Sequence, residues 1–354
     1  MASAAPVERL EAALMRGAAA LPPSLQRVLA GRARIRIDGQ VLDPEVQLLL
    51  RLLQVTRRPA FETLPVAEAR AEVRREAAAA GGRPLPVARV EETAVPGPGG
   101  SLRARLYVPP HVAAHSALLV YLHGGGWVVG DLDTHDQPCR FLAREAAVRV
   151  LSVDYRRAPE HPFPAAVDDA VAAVRFAIAE AERLGADPAR VAVGGDSAGG
   201  NLAAVASRLL AQGDGPAPAF QLLIYPVTDL SRKRRSYELF RDGFFLTERQ
   251  MDWYRHNYLP SPEAALDPRA SPLLATDLED LPPAHVAVAG FDVLRDEGED
   301  YAALLRAAGV AVTLARHTGL IHGFCNTVGV GRASPAAMRQ AVTALRAGLA
   351  PAAS

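Results

Sequence analysis

The alternation of hydrophobic and polar positions changes rhythm at about residue 87. Up to residue 85 the chain is rich in Ala, Leu and charged residues, and Pro22-Pro23, Pro44, Pro59 and the Gly81-Gly82 pair divide it into short helical pieces. Residues 41–55 form a helix candidate. Its centre, 48–53, reads Leu-Leu-Leu-Arg-Leu-Leu, apolar on more than one face, so the helix is expected to pack on two sides. Residues 103–108 then alternate like an edge strand. The runs 117–122, 148–153, 191–193, 220–225, 285–289 and 310–315 read as short strands, each followed by a turn. Helices are predicted between most of them, at 136–147, 165–184, 200–210 and 299–308, with a last one at 334–349. This order predicts an α/β fold, a mostly parallel central sheet flanked by helices. The interval 226–283 is too long for a connection and reads as a helical insertion. Within it Thr247 and Gln250 make a capping box, and Met251, Tyr254 and Tyr258 share one helix face. The expected organisation is an N-terminal helical segment, 1–85, and an α/β unit, 86–354, carrying an insertion at about 230–282.

Composition narrows the function classes. With 354 residues, 49% hydrophobic and 22% charged, the chain can bury a large core, and disordered and fibrous classes are excluded. Lys plus Arg (39) balance Asp plus Glu (39), so no basic surplus points to a nucleic-acid partner. Lys233 is the single lysine. There is no apolar run long enough to span a membrane, so no integral membrane contact is expected. Glu8, Arg9, Glu11 and Arg16 interrupt the apolar stretch of the N-terminus, unlike a signal peptide, and a cytoplasmic location is expected. Cys139 and Cys325 match no metal or redox spacing; two buried free thiols are expected rather than a bridge. A homodimer stays open.

The chemistry begins where the predicted strand 191–193 runs into Gly195-Asp196-Ser197-Ala198-Gly199 and a helix. Strand, sharp turn and helix in this order make a nucleophile elbow. Side chains two before and two after the serine would collide, and both positions are glycine. The N–H of Ala198, at the helix start, would face developing negative charge. The competing reading is a Gly-rich turn with Ser197 as a helix N-cap. A second strand, 117–122, ends in His123-Gly124-Gly125-Gly126-Trp127. Three consecutive glycines can turn their N–H groups into one hollow and receive an oxyanion opposite Ala198. A phosphate-binding loop is the rival, but the lysine and Ser/Thr of a P-loop are absent. His123 precedes Ser197 and is expected to brace this loop by hydrogen bonds.

Of nine histidines, His256, His285, His317 and His322 follow Ser197. His322 lies a few residues beyond the strand 310–315, in a loop at the carboxyl end of the sheet, where such folds carry chemistry. His317 is the alternative. The partner acid is expected after the strand 285–289, where Asp292 comes first and Asp296 sits near a helix start.

Taken together, these segments resemble the hormone-sensitive-lipase family of bacterial carboxylesterases, within the α/β-hydrolase fold. The resemblance runs from about residue 42 to the C-terminus. It rests on His123–Trp127, the elbow 195–200, Asp292–Asp296 (with Val293 where the family has proline), the Asp154–Glu160 segment (with Arg157 where the family has leucine) and His322–Phe324. It implies a serine carboxylesterase for short- to medium-chain esters, with Ser197 as nucleophile, His322 as base and Asp292 as orienting acid. Gly125, Gly126 and Ala198 are the implied oxyanion donors, with Gly124 in support. The family also implies a helical cap, here 42–82 with 230–282. Phe245, Leu246 and Met251 are candidates for its acyl pocket or for its core. A small-molecule ester is the implied substrate, and no cofactor or metal is implied. Two rivals stay open: an amide deacetylase using the same triad, and a non-catalytic receptor, which on this fold lacks the histidine that His322 supplies here. A membrane or partner role for residues 1–40 can coexist with catalysis.

Overall fold

Four helices and a two-residue hairpin precede the sheet in the computed structural model, which describes residues 6–31, 33–56 and 59–351. They are α1 (Pro6–Ala20), α2 (Pro23–Leu29), β1 (Arg36–Ile37), β2 (Gln40–Val41), α3 (Pro44–Thr56) and α4 (Val66–Ala80). The helix expected from residue 41 starts at Pro44. Proline has no N–H to leave unpaired in a first turn, and Val41 is paired with Arg36 in the hairpin.

The central sheet follows: β3 (Arg89–Gly97), β4 (Gly100–Val108), β5 (Ser116–Leu122), α5 (Asp136–Ala146), β6 (Arg149–Val153), α6 (Ala165–Ala179), β7 (Ala186–Asp196), α7 (Ala198–Ala211) and β8 (Phe220–Ile224). The insertion contributes α8 (Arg235–Phe240) and α9 (Glu248–Tyr258), and the fold ends with β9 (Ala284–Phe291), α10 (Arg295–Ala307), β10 (Val312–Ile321) and α11 (Ala333–Gly348). The eight strands lie in the order β10-β9-β8-β7-β5-β6-β4-β3. β3 and β4 are antiparallel to their neighbours; the other pairings are parallel. The strand expected at the edge is therefore second from it. β3 folds back over β4 and was hidden because only Val95 of it is buried.

The chain steps from β5 to β6, then back across β5 to β7. With right-handed crossovers that reversal puts α5 and α6 on opposite faces. α6 packs with α7, α5 packs with α11, and every residue of β5 is buried between them. The reversal also opens a crevice at the carboxyl ends of β5 and β7, the position where open α/β sheets bind ligands. Both cysteines are buried and free. Among the described residues no helix is long and apolar enough to cross a membrane.

Candidate active site

Ser197 is the single residue between β7 and α7, at φ 55 and ψ −117. A non-glycine residue held there stores roughly 1–3 kcal/mol of backbone strain, retained only where the surroundings dictate it. Here its N–H donates to Ile224 O (2.9 Å), and its carbonyl accepts from Asn201 N–H (3.0 Å) and Val227 N–H (3.2 Å). The end of β5 passes so close that a Cβ at Gly195 or Gly199 would collide with the Leu122 carbonyl.

His322 directly follows β10, and Asp292 directly follows β9. His322 Nε2 stands 3.0 Å from Ser197 Oγ, and Nδ1 stands 2.7 Å from Asp292 Oδ2. A carboxylate only accepts, so Nδ1 carries the proton and Nε2 is free to accept from the serine hydroxyl. Asp292 is 1% exposed, and its Oδ1 accepts the Leu294 N–H at 3.0 Å, which fixes the carboxylate in this direction.

The alternatives are placed elsewhere. Asp296 lies in the first turn of α10, accepts the Ser236 N–H (2.8 Å) and pairs with Arg295 (2.8 Å). β10 runs on to Ile321, so His317 is inside the strand opposite Ala289, not in a strand-end loop. His285 is buried in β9 with Nδ1 at 2.7 Å from Thr313 Oγ1, and His256 is on α9.

After β5, Gly125 and Gly126 adopt φ 112 and 57. Among the described residues their N–H groups and that of Ala198 donate to no protein acceptor. Gly124 differs from the other oxyanion candidates: its N–H is held by Asp196 Oδ1 at 2.9 Å, so it braces the loop rather than donating into the hollow. His123 braces the loop as well. Its Nδ1 donates to Gly124 O (2.9 Å), its ring stacks on Tyr155 (4.2 Å), and Tyr155 OH donates to His123 O (2.7 Å). Burial, with neighbouring His135, pushes the His123 imidazole down to about 3, so it stays neutral. The Asp154–Glu160 segment ties the far side: Ala158 N–H donates to Trp127 O (2.9 Å) and Arg157 Nη1 donates to Gly130 O (2.5 Å). Arg157, unexplained by the resemblance, thus ends on Gly130, just beyond the glycine loop.

The insertion reaches the same crevice. The Tyr254 ring lies against Gly126, where a Cβ would collide with it, and Phe245, 46% exposed, lays its ring beside Gly323, next to His322. Leu246 and Met251 are buried. Phe61, from the N-terminal segment, packs its ring at 5.8 Å from both Trp253 and Tyr254.

One participant escaped the sequence reading. Asp196, the variable position of the elbow, is buried and accepts from Tyr121 OH (2.8 Å) and Gly124 N–H (2.9 Å), with His135 Nε2 at 3.2 Å. Burial raises its pKa, but His135, Tyr121 and Gly124 together bring it below the ordinary value, so a negative charge sits under the glycine loop. The available signal was a carboxylate at the end of a buried strand, which requires partners.

A family model described as alpha/beta hydrolase fold matches residues 119–326. Carboxylic ester hydrolase LipN of Mycobacterium tuberculosis is 47% identical over 339 residues, 93% of this chain and 89% of that protein. Ethyl acetate hydrolase of Pseudomonas putida is 46% identical over 64% of this chain and 72% of its own length. The solved structure of an ester hydrolase from the metagenome of Lake Arreo, complexed with a bipyridine phosphonate derivative, superposes with a TM-score of 0.83 at 44% identity, covering 86% of this chain and 98% of that one. The chain belongs to the α/β-hydrolase fold family, in its hormone-sensitive-lipase group.

Proposed function

We propose that the protein is a serine carboxylesterase that hydrolyses short- to medium-chain esters through Ser197, His322 and Asp292. The observation that carries this reading is the unbroken hydrogen-bond chain from Asp292 through His322 to the Ser197 hydroxyl. Ester hydrolysis by relatives that cover most of the chain supports it.

His322 Nε2 takes the Ser197 proton as Oγ attacks the ester carbonyl. Asp292 keeps the imidazole in the tautomer that can accept, and stabilises the imidazolium that results. The carbonyl oxygen becomes an oxyanion held by the N–H groups of Gly125, Gly126 and Ala198. These donors are fixed before reaction, and removing one costs such sites roughly 10²–10³ in rate. The alcohol leaves with the His322 proton. Water, activated by the same imidazole, then releases the acid from the acyl-enzyme.

The segment 42–82 and the insertion at about 230–282 act as a cap, with Phe245, Leu246, Met251 and Tyr254 shaping the acyl pocket. Each methylene that meets apolar wall gains about 0.8 kcal/mol, close to fourfold, until the wall ends. Rates with p-nitrophenyl esters from acetate to palmitate are expected to peak at short to medium chains. A maximum at palmitate, with a jump when emulsion forms, would contradict this reading.

A further inference from the structure

We propose that the N-terminal face formed by α2 and the end of α3 docks on an anionic phospholipid bilayer. Among the described residues seven large apolar side chains are exposed, and five of them belong to α1, α2 and α3: Leu14 (58%), Leu25 (42%), Val28 (48%), Leu29 (48%) and Val55 (71%). They are not scattered. Leu25, Val28 and Leu29 are spaced i, i+3, i+4 and form one stripe of α2. The opposite face is anchored by Gln26, which is buried and donates to Ala18 O and Ala19 O at 3.2 and 3.1 Å. Arg51 reaches from α3 to Ala30 O (3.5 Å) at the end of α2, and Val55 stands one turn beyond Arg51 on the same helix.

The charge around this stripe identifies its occupant. Between Glu11 and Asp38 the described residues include Arg16, Arg27, Arg34 and Arg36, and the sequence holds no acidic residue there. The zero net charge of the whole chain hides this segregation. Exposed apolar side chains within a basic surround match the boundary of an anionic bilayer, where the apolar groups sink to the acyl level and the arginines stay among the headgroups. A second copy fits poorly, because a two-fold interface would set the same arginines against themselves. A nucleic acid would leave the apolar stripe without a partner.

The test is flotation of the full chain with vesicles of phosphatidylcholine alone or mixed with phosphatidylglycerol, at low and high salt. The protein is expected to float with the mixed vesicles only, and high salt is expected to release it. Arg27→Gln with Arg34→Gln should weaken binding about twenty-five-fold, at about fivefold per arginine. Leu25→Ser with Val28→Ser and Leu29→Ser should weaken it at least tenfold. Both variants should hydrolyse p-nitrophenyl acetate at the original rate, which separates this surface from the catalytic site. Three results would overturn the proposal: no flotation, equal flotation of both variants, or a dimer seen by light scattering that the serine variant dissolves while the original chain ignores vesicles.

Discussion

The carboxylate of Asp196 accepts the amide of Gly124 at 2.9 Å, so the residue just before the serine holds the first glycine of the loop opposite it. The elbow and the glycine loop are thereby one unit, with Tyr121 and His135 closing it from behind. Asp196→Asn removes the charge and places an N–H₂ group among donors. It is expected to lower kcat by about ten- to a hundredfold, short of the full loss of one oxyanion donor, with KM nearly unchanged. Steady-state kinetics beside a thermal melt check this. An unchanged kcat would mean that the loop is held by other contacts.

Asp292→Asn leaves the geometry nearly intact but can donate to His322 Nδ1, which favours the wrong tautomer. A loss of up to about 10⁴ in kcat is expected. Asp296→Asn should cost far less activity, because Asp296 faces Ser236 and Arg295. Its effect belongs to the melting temperature. Reversed kinetic effects would overturn the assignment of the acid.

Two buried histidines set an acid-side limit on stability. Burial, with neighbouring His317, pushes His285 down to about 4, and burial with His135 pushes His123 down to about 3. An unfolded histidine takes a proton near pH 6.5. Between these values the unfolded chain binds more protons, so stability rises with pH. The contribution is fully present above about 6.5 and is lost as pH falls toward the folded values. His285→Asn should flatten the slope of unfolding free energy between about pH 6 and 4.5 by up to about 1.4 kcal/mol per pH unit. Urea melts across that range measure it; an unchanged slope would show that His285 titrates normally.

The parts of the site legible in the sequence are those where sterics leave no choice. Leu122 approaches Gly195 and Gly199 so closely that glycine is imposed, and Gly125 and Gly126 turn at positive φ. His322 and Asp292 could be proposed from the sequence because the apolar runs 310–315 and 285–289 precede them. Legibility fell where a strand is half exposed. Arg89, Glu91 and Glu92 blur the alternation of β3, and Arg316, His317 and Thr318 disguise the second half of β10, which is the other edge of the sheet. The pattern predicts α10 from residue 299, whereas the helix begins at Arg295, and Gly298 within it lets it approach the Val288 side chain. The Asp196 network could not be read at all: Tyr121 and His135 lie 75 and 61 residues away, and only the fold brings them under the elbow.

The central claim is that Ser197 is the nucleophile, activated by His322. The most direct measurement is reaction of the full chain with a fluorophosphonate, followed by peptide mass spectrometry. One adduct is expected, on Ser197, absent from Ser197→Ala and formed far more slowly in His322→Ala. An adduct on another serine, or labelling that persists in Ser197→Ala, would contradict the account.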